Sequence, residues 1–366
     1  MGLLLLVCSL VFSTSMFPIL HPAGENTYFI ESGVLDDTVF VSVNKPAGES
    51  TGLPLVVVLD GEDFFPFISA ALDYAASTGA VPELLVAGVD CGNRFQWYTP
   101  TEAAVPGGET IPGSGGAQVY LAFLENELVP VMESEFGCAP YTVLCGHSLA
   151  GLLTLFALSE EGTVFDGFIA SSPSLWWDDE MITASIPECF QAPHRVYVSL
   201  GNEDETMSGP VDRYLMEAGR RTGLTIHSSV FPELTHQMVP LSSLVQGISF
   251  IFEPWRSRNF DDVASMLQHY DSLSLEYGYR ITPPEATVNS MGYRMIREGN
   301  VPGAVEAFRL NTANYPHSPN VYDSLGEGLL LMGDSAGALE NYSIAFELDP
   351  ENARARELVR TLGTGN

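Results

Sequence analysis

Val143-Leu144-Cys145-Gly146-His147-Ser148-Leu149-Ala150-Gly151-Leu152-Leu153 is the stretch that decides the fold. An apolar, strand-like segment leads into Ser148 and an apolar, helix-like segment leads out of it. A serine on such a sharp strand-to-helix turn has small residues on both sides, because the chain crosses itself closely there. Gly146 and Gly151 supply two of them, and Ala150 takes the second position that glycine usually holds. The pattern predicts a nucleophile elbow with Ser148 at its tip.

Strands and helices alternate on either side. Thr38–Val43 alternates like an antiparallel strand, and Leu55–Leu59 and Leu84–Val89 read as buried strands. Residues 120–136 carry helical spacing through Leu121, Leu124, Leu128, Val131 and Met132. Strands follow over Phe165–Ala170, Arg195–Leu200 and Thr225–Phe231, and then a closing helix over Leu241–Phe252. This order predicts an α/β domain over residues 26–256, with a mostly parallel sheet and helices on both faces.

A serine hydroxyl needs a base, and the base needs an orienting carboxylate. In this architecture the order along the chain is serine, acid, histidine. The strand ending at Leu200 runs into Gly201-Asn202-Glu203-Asp204-Glu205. A G-x-x-[DE] spacing selects Asp204, with Glu203 and Glu205 as rivals. His236 stands just past the next strand and is the expected base. His227 lies within that strand, His194 before its own strand, and His147 beside the serine, as a packing residue or as a support to the residues of the site. The oxyanion donors are expected to be the backbone N–H of Leu149 and that of Gly61 or Glu62, in the turn after Leu55–Leu59.

These residues together resemble the Putative esterase family of α/β-hydrolases, which includes esterase D-like, feruloyl and enterochelin-type esterases and the mycolyltransferases. The resemblance rests on Val58-Leu59-Asp60-Gly61-Glu62, Gly146–Gly151, Ser172-Pro173-Ser174-Leu175-Trp176-Trp177, Gly201–Asp204 and His236. It implies an α/β-hydrolase fold and a serine carboxylic-ester hydrolase with no cofactor and no metal, acting on a small-molecule ester. The Ser-Pro-Ser-Leu-Trp-Trp run resembles the siderophore-esterase branch. Ala150 and Thr235-His236-Gln237 depart from the usual pattern without removing a catalytic atom. Trp176 and Trp177 are candidates for a substrate wall or for the core. Arg94 is a candidate clamp for an anionic substrate group or a surface ion pair. Acyl transfer to an acceptor other than water fits the same residues.

From about Pro283 the chain changes character and repeats with a period of 34. Gly292 pairs with Gly326, Ala304 with Ala338, Phe308 with Tyr342 and Pro316 with Pro350. Residues 285–361 resemble two tetratricopeptide units with a capping helix, a small all-α region after a helical linker over 257–284. Two units need a neighbour, so they are expected to pack on the first domain, self-associate or bind a protein partner. An interaction protein with a decayed hydrolase domain is the rival to an enzyme.

The chain has 366 residues and a net charge of -31, from 46 acidic and 15 basic residues. Lys45 is the only lysine. Such a surface repels nucleic acid and anionic lipid, which excludes both as main partners. The acids are scattered, as in a solvated surface, rather than gathered for a cationic substrate. Residues 1–15 have the apolar core of a signal peptide, too short for a stable membrane span and lacking a basic start. Export to the periplasm or beyond is expected, with a cytoplasmic location as the alternative. Of the cysteines, Cys145 reads as a buried apolar residue, while Cys91, Cys138 and Cys189 include candidates for a disulfide. No Cys or His spacing suggests zinc.

Overall fold

The computed structural model describes residues 18–46, 52–105, 108–256 and 260–363. The chain forms two compact units, Met1–Pro254 and Trp255–Asn366. The expected signal peptide over residues 1–15 lies outside the described residues.

The first unit is built on one nine-stranded sheet: β1 (Leu20–Gly24), β2 (Thr27–Ser32), β3 (Asp37–Asn44), β4 (Leu55–Leu59), β5 (Leu85–Val89), β6 (Thr142–His147), β7 (Gly167–Ser171), β8 (Cys189–Leu200) and β9 (Thr222–Val230). Their spatial order is β1-β2-β3-β5-β4-β6-β7-β8-β9. The first three strands pair antiparallel, and β3 joins β5 in the same sense. From β5 to β9 every pairing is parallel. Neither β1 nor β2 is among the strands expected from the sequence, because their mixed polar pattern carries little periodic signal.

The central strands are apolar without alternation because both faces are covered. Every residue of β4, β5, β6 and β7 is buried. The helix Leu149–Ser159 leaves β6 and buries ten successive residues, Leu149 to Leu158, which explains its uninterrupted apolar run. The chain order reverses at β4, with β5 on one side and β6 on the other. In such sheets ligands bind beyond the carboxyl ends of the strands at the reversal.

The single helix expected over 120–136 divides into Ala117–Phe123, a π-helical turn Leu124–Leu128, and Val129–Phe136. Pro130 has no N–H for the α-helical ladder, and the local widening sits just ahead of it. The turn presents Glu127, whose carboxylate accepts from Ser32 Oγ at 2.5 Å, Gly33 N at 3.0 Å and Val34 N at 3.2 Å. That ties the β2–β3 corner to the helix layer.

The second unit is all helical: Val263–Glu276, Glu285–Arg297, Val301–Asn314, Pro319–Leu331, Ser335–Leu348 and Ala353–Gly363. The helix of the segment expected as a helical linker is Val263–Glu276, which buries Val263, Met266, Tyr270 and Leu273. Gly292 faces the Phe308 ring and Gly326 faces the Tyr342 ring, so each repeated glycine lets an aromatic side chain approach the helix backbone. No disulfide joins the four described cysteines, Cys91, Cys138, Cys145 and Cys189.

Candidate active site

Ser148 stands between β6 and its helix with φ 60° and ψ −116°, a conformation that L-residues rarely adopt. Its surroundings make the turn possible. A Cβ on Gly146 would lie 2.3 Å from the Ala150 carbonyl oxygen, and one on Gly151 would lie 3.1 Å from Pro173 Cα. Ala150 itself is fully buried, so its one methyl group fits where glycine is usual. Ser148 N donates to Ser171 O at 2.9 Å, which pins the elbow to β7. Its hydroxyl lies 3.2 Å from Ser174 Oγ.

The carboxyl ends of β8 and β9 bring up an acid and a histidine. His236 Nδ1 lies 3.0 Å from Glu203 Oε1, and the Glu203 side chain is only 6% exposed. Glu203 Oε1 also accepts from Ser172 Oγ at 2.6 Å. Asp204, the residue selected from spacing, does not meet His236. It caps the helix Glu205–Ala218, accepting from Thr206 N at 2.9 Å. The correction has a local reason. Aspartate is among the best N-cap residues, and capping turns its carboxylate toward the helix. Glu205 is the first residue of that helix.

Of the two readings for His147, packing or support, the contacts with His236 fit support. Its ring centroid lies 4.5 Å from that of His236, and its Nε2 donates to His236 O at 2.9 Å. Burial, with the nearby His236 and Arg94 charges, pushes its pKa down to about 3, so the ring is neutral and free to donate. His227 stacks with Tyr197 and Phe250, away from the serine's hydrogen bonds.

The turn after β4 places Asp60 in left-handed backbone at φ 54°, ahead of the helix Gly61–Ser77. A Cβ on Gly61 would lie 2.4 Å from the Gly88 carbonyl carbon, so only glycine lets this turn pass β5. Gly61, Glu62 and Leu149 are first or second residues of helices, where backbone N–H groups have no partner within the helix.

Arg94 and Trp177 take the other of their two expected places, an ion pair and the core, and not a substrate contact. Arg94 is tied down by its neighbours while its side chain stays partly exposed: its Nε and Nη2 bond Asp60 Oδ1 and Oδ2 at 3.0 Å each, and Nη2 donates to His147 O at 3.1 Å. It joins the β4 turn to the elbow, with its Nε and Nη2 already engaged by protein oxygens. Burial still pushes the Asp60 carboxyl up to about 6, against the pull of Arg94. Trp177 is fully buried and its Nε1 donates to Thr101 O and Oγ1, both at 3.2 Å, so it belongs to the core. Trp176 is half-buried and donates to Met207 Sδ at 2.9 Å. Sequence spacing gave no sign of which tryptophan points inward. Among the described residues no group of His, Cys, Asp or Glu is arranged to hold a metal ion.

A strained serine at a strand–helix elbow, with a carboxylate-bound histidine at the neighbouring strand ends, is the arrangement of the α/β-hydrolases. Comparison with known proteins agrees. Residues 32–227 match the family described as Putative esterase. The chain belongs to that family of carboxylic ester hydrolases. It is 33% identical over 138 residues to the siderophore triacetylfusarinine C esterase of Aspergillus fumigatus, covering 34% of this chain and 46% of that protein. It is 27% identical over 160 residues to the ferri-bacillibactin esterase BesA of Bacillus subtilis, covering 39% of this chain and 55% of that one. The chain thus spans about half the length of both named esterases. An IroE-like serine hydrolase from Shewanella oneidensis shares the fold with a TM-score of 0.67 at 24% identity, over 78% of this chain and 98% of the other.

Proposed function

We propose that this chain cleaves carboxylic esters through an acyl-enzyme. Ser148 attacks the ester carbonyl while His236 takes its proton. His236 then returns that proton to the leaving alcohol, and water repeats the sequence to free the acid. Glu203 holds His236 with a proton on Nδ1, leaving Nε2 as the base. The backbone N–H of Leu149 and that of Gly61 or Glu62 receive the charge that develops on the carbonyl oxygen. The observation that supports this most is the 3.0 Å contact between His236 Nδ1 and Glu203 Oε1, together with a serine held at φ 60° in the elbow.

The names of the two esterase relatives point to a siderophore ester as substrate. The net charge of -31 and the engagement of Arg94 by Asp60 favour a substrate without net negative charge. We keep export as part of the reading, on the apolar run in residues 1–15. We also read the helices from Glu285 to Leu348 as two tetratricopeptide-like hairpins. Their partner, a second copy or another protein, is a question for solution mass measurement.

The direct test is hydrolysis of short-chain p-nitrophenyl esters by the chain lacking residues 1–15, beside Ser148→Ala. Turnover that disappears in the variant, with fluorophosphonate labelling confined to Ser148, supports the reading. A folded protein that neither turns over nor labels would refute it. Product analysis with added alcohols separates hydrolysis from acyl transfer.

A further inference from the structure

The run Ser172-Pro173-Ser174 follows β7 and touches both halves of the site. Ser172 is fully buried and sits at φ 41°, where glycine would rest without strain. Its N–H donates to Ser199 O at 2.8 Å, at the end of β8. Its hydroxyl donates to Glu203 Oε1 at 2.6 Å and accepts from Gly201 N at 3.2 Å. Two residues on, Ser174 N donates to Ser148 O at 3.0 Å, and Ser174 Oγ lies 3.2 Å from Ser148 Oγ. Pro173 lies against the bare Cα of Gly151, so the turn is seated on the elbow helix.

A serine kept at positive φ raises the question of what its side chain supplies. Glu203 is a long side chain on a loop, and three torsions must be fixed before its carboxylate can orient a histidine. Oε1 receives the His236 ring and the Ser172 hydroxyl together. With the Glu203 side chain only 6% exposed, bulk water is poorly placed to replace that hydroxyl.

We propose that Ser172 is a positioning residue for ester cleavage, its hydroxyl fixing the Glu203 carboxylate in the orientation that receives His236. The proposal rests on the reading of Ser148, His236 and Glu203 given above. Ser172→Gly tests it, because glycine removes the hydroxyl and suits the backbone. Losing a hydrogen bond to a charged group corresponds to roughly a 10- to 100-fold fall in kcat. KM for a small p-nitrophenyl ester should hold, and the melting temperature should fall by only a few degrees, as Gly201 N loses its acceptor while the positive-φ strain is relieved. In a Glu203→Gln background the same change should cost less than about threefold, since Ser172 acts through that carboxylate. Ser172→Ala, which keeps Cβ, gives a second reading should the glycine variant fold poorly. Full kcat in both Ser172 variants, or an equal fold-loss in both backgrounds, overturns the proposal. Wild-type turnover that survives Ser148→Ala or Glu203→Gln instead defeats the underlying triad, and the proposal with it.

Discussion

Glu203 and Asp204 are adjacent in sequence and face different tasks: Glu203 Oε1 lies 3.0 Å from His236 Nδ1, while Asp204 Oδ1 accepts from Thr206 N at 2.9 Å. The two carboxylates therefore predict opposite phenotypes. Glu203→Gln should lower kcat by about 10²- to 10⁴-fold, since a misoriented histidine is a poor base. Asp204→Ala should keep most activity and lose about 1 kcal/mol of stability with its helix cap. Steady-state kinetics and urea denaturation of the two variants decide the assignment. The reverse pattern would return the role to Asp204.

The neighbouring pair also shows where the sequence was legible and where it was not. The elbow could be read because its requirement is local: small residues at 146, 150 and 151, set between an apolar strand and an apolar helix. His236 could be read because only one histidine follows the last parallel strand closely. The acid could not be chosen by counting from Gly201, because three acids in a row differ only in where their side chains turn. Helix capping does separate them: aspartate caps a helix better than glutamate does, so a helix beginning at Glu205 claims Asp204 and leaves Glu203 to the histidine. Trp176 and Trp177, and the capture of Arg94 by Asp60, depend on residues far away in the chain. No local pattern encodes them.

Arg94 yields a second prediction. Its guanidinium spans from Asp60, in the turn before the expected oxyanion donors, to the carbonyl of His147, next to Ser148. Arg94→Lys should fail to replace it, because an ammonium cannot hold both carboxylate oxygens and the carbonyl in one plane. A bracing role predicts that Arg94→Ala lowers kcat to the same degree for neutral and anionic esters. A substrate clamp would instead raise KM for the anionic ester alone. The arginine side chain is 39% exposed, so solvent screening limits the stability loss to about 1–2 kcal/mol.

Asp166 gives a pH dependence with a definite sign. Its Oδ2 accepts from Thr142 N at 2.8 Å, and burial pushes its pKa up from 3.8 to about 6. Between those values the native chain holds a proton that the unfolded chain has lost. Stability from this group therefore falls as pH rises through the window. Asp60 acts in the same direction and over the same range. His147 opposes them: its native pKa of about 3 lies below the ordinary 6.5, so its contribution is lost as pH falls below 6.5. Asp166→Asn removes one carboxyl while keeping an oxygen for Thr142. Going from about pH 4 to about pH 7, its stability relative to wild type should improve by roughly 2–3 kcal/mol. Chemical denaturation at the two pH values measures this, and a difference independent of pH would contradict it.

The two repeated glycines of the helical unit should not tolerate alanine equally. A Cβ on Gly292 would lie 2.3 Å from Phe308 Cε1, and the Phe308 ring is fully buried and packed on Tyr293 at 5.2 Å. A Cβ on Gly326 would lie 3.0 Å from Tyr342 Cε1 and Cζ, a contact that a few tenths of an ångström would relieve. Alanine also favours a helix over glycine by about 1 kcal/mol, which offsets part of either clash. Overpacking costs about 1–3 kcal/mol, so Gly292→Ala should be clearly destabilising and Gly326→Ala close to neutral. Hydrogen exchange of the amides in Glu285–Arg297 and Pro319–Leu331 reads the two effects separately, without assuming that the whole chain unfolds in one step. Gly292→Ala combined with Phe308→Leu should recover part of the loss, because the smaller side chain makes room for the added methyl group. Equal protection in both glycine variants would mean that the Phe308 ring moves aside at little cost, and that the aromatic-on-glycine contact does not set the helix spacing.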